Sequence, residues 1–317
     1  MSPSDDVQTL AGSPSSGARA MTQERADPRA GVAIRIGAVW LALVVVWVAG
    51  GMLGRALAPH MPFDAWRLIQ SVLVGAVGVT IVVAACRVLD RRNLASIGFG
   101  TSRADAAALL AGAGLWLGLA AVGIVVGAAT GAFSVTVGPP TLAMVGWILL
   151  QMLLVFTYEA VPEELALRGY IYTNLRERMP RWLAVVVQAV LFMMWAFALV
   201  SVLEYLGGRT AWSISLDRAI LFLSFGITLA IVRLWTGSLW GSIGFHWAFQ
   251  TVMGLLGLDR LIVLRIPREG LESAGVMLWF FAIVLGGVVA LVGLVRKERR
   301  ARSAAARSPA GSPARSG

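Results

Sequence analysis

Long apolar runs broken by short polar clusters set the pattern along this chain. A membrane-spanning helix needs about 20 mostly apolar residues. Runs of that kind lie at roughly 33–57, 67–89, 105–131, 141–174, 181–204, 216–235, 237–258 and 273–296. The pattern predicts an all-α fold, a polytopic integral membrane bundle of about eight transmembrane helices. Only "RLWTGS" separates the sixth run from the seventh. Residues 1–30 and 299–317 are rich in Ser, Pro, Ala, Gly and Arg and show no apolar period. They read as disordered tails flanking a helical domain at 31–298.

Composition supports this reading. The chain is 58% hydrophobic and only 14% charged, where an ordinary soluble domain carries about 25% charged residues. Its net charge of +10 would point to nucleic acid in a soluble protein. Here the basic residues gather at the ends of the apolar runs, so membrane lipids with anionic headgroups are the expected partner and nucleic acid is not. Arg19, Arg25, Arg29 and Arg35 precede the first run; Arg87, Arg91, Arg92 and Arg103 follow the second. Arg176, Arg178 and Arg181 follow the fourth, "RKERR" closes the last, and the loop "GAFSVTVGPP" after the third has no charge. By the positive-inside bias both termini are expected in the cytoplasm, with the protein integral to a bacterial-type plasma membrane. The one cysteine, Cys86, excludes a disulfide within the chain and reads as a small buried hydrophobe.

Against this background a few ionisable residues stand at membrane depth, where each is costly and a functional candidate. The stretch "AVPEELALRGY" places Glu163, Glu164 and Arg168 inside the fourth run. On a helix Glu164 and Arg168 are four apart and share a face, so they read as a structural ion pair. Glu163 points about 100° away and is left to face a cavity, with Glu159 one turn earlier on its side. In "GSLWGSIGFHWAFQ", His246 and Gln250 are likewise four apart on one face. Counted from the cytoplasmic ends, Glu163 and His246 lie at matching depths of about 14–17 Å, which favours one shared site. His60, in the polar loop "APHMPFDAW", reads as a solvated or interfacial residue.

These two blocks resemble the CPBP family, which includes the CAAX-type prenyl endopeptidases and bacteriocin-processing proteins, a group of intramembrane metalloproteases. "EELALR" fits its EExxxR motif, and "GSLWGSIGFHWAFQ" is similar to its later motif, where Asn or Asp follows His by four. The likeness covers about residues 140–258. It implies a hydrolase in which Glu163 is the general base that activates water, while Glu164 is held by Arg168. His246 and Gln250 would polarise the peptide carbonyl, or Glu163 and His246 would bind a divalent metal such as zinc. Two positions depart from the pattern. The family's FxxxH histidine is replaced by Ala196, four after Phe192, and the alternative frame from Phe197 ends on Ser201. Gln250 stands where Asn or Asp is usual.

The resemblance therefore implies an endopeptidase whose site opens toward the cytoplasm and cleaves a membrane-associated or prenylated CAAX-type peptide. The alternative is a catalytically inactive protein of the same fold, acting as a binding, scaffold or immunity partner. A third reading is a small transporter with Glu163 and His246 as a proton relay. Ser201 and Glu159 are the residues in a position to stand in for the missing histidine.

Overall fold

The computed structural model describes residues 28–131, 134–137, 141–207, 213–256, 262–265 and 271–307. Eight long helices account for nearly all of them. They are α1 (Pro28–Leu57), α2 (Phe63–Leu89), α3 (Arg103–Ala129), α4 (Leu142–Arg176), α5 (Arg181–Tyr205), α6 (Leu216–Thr236), α7 (Leu239–Leu256) and α8 (Leu271–Arg307). Each coincides with an expected apolar run to within a few residues, apart from the longer C-terminal reach of α8. Among the described residues, α1 to α6 are long and apolar enough to cross a membrane. The protein is an all-α polytopic membrane protein. Most of the expected tails, residues 1–27 and 308–317, lie outside the described residues. One boundary needs correction: α8 continues through Arg307, so the start of the tail placed at 299–317 is helical.

The "RLWTGS" linker works because Gly237 takes φ +79°, the left-handed conformation that ends a helix without Cβ strain. Its amide donates to the Arg233 carbonyl at 2.8 Å. Ser238 then accepts from the Trp240 amide at 3.2 Å and donates to Asp105 of α3 at 2.6 Å. The start of α7 is thereby pinned to α3. Farther along, these two helices meet nearly backbone to backbone. A Cβ on Gly112 would lie 1.9 Å from the Gly241 carbonyl oxygen, and one on Gly244 would lie 2.1 Å from that of Leu109. Small residues permit such approaches in membrane bundles.

Neighbouring helices close a ring in the order α1, α2, α4, α7, α3, α8, α6, α5, with α4 to α7 also meeting in the interior. A short antiparallel pair joins β1 (Ser134–Val137) to β2 (Ile262–Arg265), in register from Ser134↔Arg265 to Val137↔Ile262. It ties the segment after α3 to the segment after α7, and the uncharged "GAFSVTVGPP" loop supplies β1.

The two ends of the bundle differ in charge. Ion pairs Arg35–Asp90, Arg92–Glu177 and Arg181–Glu298 join the starts of α1 and α5 to the ends of α2, α4 and α8. Asn174 also donates to Asp90 at 2.8 Å. One face thus collects the arginine clusters, and the chain enters α1 and leaves α8 there. At the opposite end, Arg55 at the end of α1 donates to the Leu206 carbonyl after α5 at 3.2 Å.

Candidate active site

Helix α4 is not a regular helix. It widens into π turns at Phe156–Ala160 and Leu165–Ile171, with one α-helical stretch, Val161–Glu164, between them. Pro162 lacks an N–H and cannot close a bond to the carbonyl four residues back, which gives a cause for the first widening. Such turns concentrate at functional sites. Here they flank the acidic pair and set which way each carboxylate faces.

Glu164 and Arg168 are both fully buried, and Arg168 Nη1 donates to Glu164 Oε1 at 2.9 Å. The guanidinium carbon lies 4.3 Å from the centre of the Phe192 ring, a cation–π contact in a desolvated setting. The backbone carbonyl of Arg168 accepts from Arg233 Nη1, and Arg233 Nη2 donates to the Ile97 carbonyl at 2.8 Å. The pair read from helix spacing is present, and it is anchored on several sides.

His246 departs from expectation in its partner. Its Nδ1 lies 3.0 Å from Glu164 Oε1, not against Glu163. One carboxylate oxygen therefore holds both Arg168 and His246. With Glu164 ionised, Nδ1 carries the hydrogen of that bond. Nε2 is then left as an acceptor in the neutral ring and a donor in the protonated one. The Phe225 ring packs edge-on against the imidazole at 5.1 Å between centroids.

Glu163 is 7% exposed and lines a cavity of about 540 Å³ between α4, α5, α6 and α7. His246, Gln250, Glu159 and Ala196 line the same cavity. Its remaining walls are largely aromatic and aliphatic, from Trp47, Tyr158, Phe192, Trp195, Phe222, Phe225 and Phe249 to Leu199, Leu221 and Met253, with Arg218 among them. Among the described residues no side chain hydrogen-bonds Glu163. Gln250 Nε2 donates to Glu159 Oε2 at 2.6 Å, so one of its two amide hydrogens is engaged there.

The two candidate frames for the missing histidine fall in different surroundings. Phe192 covers Arg168 and Ala196 faces the cavity, whereas Ser201 is exposed. Glu159, not Ser201, stands at the site. His60 is exposed in its loop and Cys86 is free and buried, as their sequence context suggests.

The cavity opens away from the arginine-rich face. Toward that face, residues Pro162 through Tyr172 are all buried, and so are Gly241 through His246. Toward the other end the lining residues become partly exposed. The family resemblance implies a site opening toward the cytoplasm; in the structure the opening lies at the end of the bundle opposite the arginine clusters.

A catalytic zinc site takes three protein ligands and keeps one position open. Among the described residues no group of three His, Cys, Asp or Glu side chains is arranged to hold a metal ion. Glu163 and His246 offer two donors, and the position from which the family's further histidine would come holds Ala196. The residues present do not make the three-ligand set.

Sequence reasoning missed the π turns, the sharing of Glu164, and the wall made by Trp47, Tyr158 and Trp195. Pro162 was the available signal for the first. The others depend on how helices distant in sequence are rotated against one another.

The fold and this buried Glu–Arg–His cluster beside a cavity define a polytopic membrane protein with a polar site inside the bundle. Residues 145–252, about a third of the chain, match the family described as type II CAAX prenyl endopeptidase Rce1-like, and this segment is an Rce1-like domain of the CPBP family. It spans α4 to α7 and so contains every polar residue of the site. No curated protein matches the chain.

Proposed function

We propose that the protein is an intramembrane endopeptidase in which Glu163 activates water. One observation carries the reading: of the two adjacent carboxylates, Glu164 is engaged by Arg168 and His246, while Glu163 faces the cavity with no side-chain partner among the described residues. The ionised Glu163 carboxylate takes a proton from water as the water oxygen attacks the peptide carbonyl carbon. The second amide hydrogen of Gln250, or Nε2–H of a protonated His246, stabilises the oxyanion. As the C–N bond breaks, Glu163 returns its proton to the departing nitrogen, giving a carboxylic acid and an amine. The largely apolar walls suit a membrane-associated peptide, prenylated or unmodified, and exclude bulk water. Every step uses side chains of the chain itself.

A second reading has its own support. Ala196 places a methyl group where a histidine would help orient the water, and a site so depleted can retain binding without cleavage. The test is a reconstituted protein offered a panel of prenylated and unmodified membrane peptides, beside its Glu163→Gln and Ala196→His variants. Cleavage by the wild type, reduced about 100-fold or more in Glu163→Gln, is the expected result. Cleavage by Ala196→His alone identifies a binding protein with a lapsed site, and no cleavage by any variant defeats the proteolytic reading.

A further inference from the structure

The cavity has a definite direction, and four helices report it independently. On α5 the lining runs from buried Phe192 to partly exposed Leu199, toward the C-terminal end. On α6 it runs from buried Phe225 back to Leu221 and Arg218, near the N-terminal end. On α7 it runs from His246, 1% exposed, out to Met253. On α4 it runs from Glu163 back to Glu159 and Tyr158. Adjacent helices alternate in direction, so all four gradients point to one end of the bundle. That end carries the β1–β2 pair and lies opposite the face held by the arginine ion pairs.

The two ends differ in charge in a way that fixes orientation. Arg35, Arg87, Arg91, Arg92, Arg103, Arg176, Arg178, Arg181 and the "RKERR" cluster belong to the closed end. At the open end Arg55, Arg67, Arg218 and Arg265 of β2 are interspersed with Asp64, Glu204 and Asp217. Basic residues close to span ends are retained on the cytoplasmic side. We infer that the cavity receives its occupant from the extracytoplasmic side of the membrane, so that its substrate class is a peptide segment presented at the outer leaflet and not a lipidated cytoplasmic C-terminus. That the occupant is a peptide rests on the proteolytic reading; the side from which it enters does not.

Site-directed labelling tests the direction without any need for catalysis. In a Cys86→Ala background, single cysteines are placed at the mouth by Met253→Cys and, separately, Leu221→Cys, and on the arginine-rich face by Arg178→Cys. Sealed membrane vesicles of right-side-out and inverted orientation are treated with a membrane-impermeant maleimide. The expected result is labelling of both mouth cysteines in right-side-out vesicles and of Arg178→Cys only in inverted ones. Mouth cysteines labelled only in inverted vesicles, or labelled together with Arg178→Cys, overturn the inference. Absence of labelling at both mouth positions in either orientation also overturns it, because the cavity then has no open mouth. The cleavage assay of the wild type separates the outcomes: a wild-type protein that cleaves nothing but keeps this labelling pattern loses the proteolytic reading and retains the direction of entry. The same pattern in Glu163→Gln shows that entry does not depend on catalysis.

Discussion

Glu164 is asked to do more than its neighbour. A single buried oxygen accepts from Arg168 and binds His246, so removing that carboxylate strands a buried guanidinium and releases the imidazole at once. Breaking a buried pair by deleting one partner typically costs about 3–5 kcal/mol, because the remaining charge is left uncompensated. Glu164→Ala is therefore expected to lower the unfolding midpoint of the purified protein strongly. Replacing both partners, as Glu164→Leu with Arg168→Met, should recover much of that loss. Glu163→Ala should by contrast be nearly neutral or stabilising, since it removes a carboxylate at the cavity wall that no described side chain engages. Thermal unfolding of the four proteins in one detergent decides the matter. Equal destabilisation by Glu163→Ala and Glu164→Ala would show that the division between a structural and a reactive carboxylate is wrong.

At the scale of elements, the close crossing of α3 and α7 holds His246 in place. The Gly241 carbonyl oxygen is only 1.9 Å from where a Gly112 Cβ would sit, and backbone at that distance has no flexible end to yield. Gly112→Val must push the helices apart, at a cost of about 1–3 kcal/mol or more from overpacking, and should lower the unfolding midpoint accordingly. Gly114, where an added Cβ would meet nothing within 4 Å, is the control: Gly114→Ala should be neutral or slightly stabilising. The helices themselves were legible in the sequence because span length and hydropathy are local properties, and all eight runs found their helices. The Glu164–Arg168 pair was legible for the same reason, being set by spacing on one helix. The bond from Glu164 to His246 was not, since it joins residues 82 apart and depends on how α4 and α7 are rotated. The π turns of α4 contribute to that rotation, and spacing counted on a regular helix cannot anticipate them.

For the molecule as a whole, the asymmetry of its two ends bears on its lipid surroundings as well as its site. The closed face gathers arginines from five chain segments, and its ion pairs Arg92–Glu177 and Arg181–Glu298 are partly exposed. Exposed pairs of this kind contribute roughly 0–1 kcal/mol each, so they do not explain why so much charge is kept there. An excess of cation at a membrane surface attracts anionic headgroups, at about 1 kcal/mol for each basic residue near the surface. The detergent-solubilised protein should therefore unfold at a higher temperature when an anionic phospholipid is added than when a zwitterionic one is. In about 1 M salt the Debye length falls to about 3 Å and the difference should largely vanish. Substituting Arg176, Arg178 and Arg181 together with Gln should reduce the anionic-lipid effect while lowering the zwitterionic baseline only slightly, by the roughly 0–1 kcal/mol of the exposed Arg181–Glu298 pair, because these side chains lie at the closed face and away from the cavity. An effect that persists unchanged in that variant and in high salt would instead assign the stabilisation to acyl-chain packing along the bundle, and the arginine face would keep only its part in setting orientation.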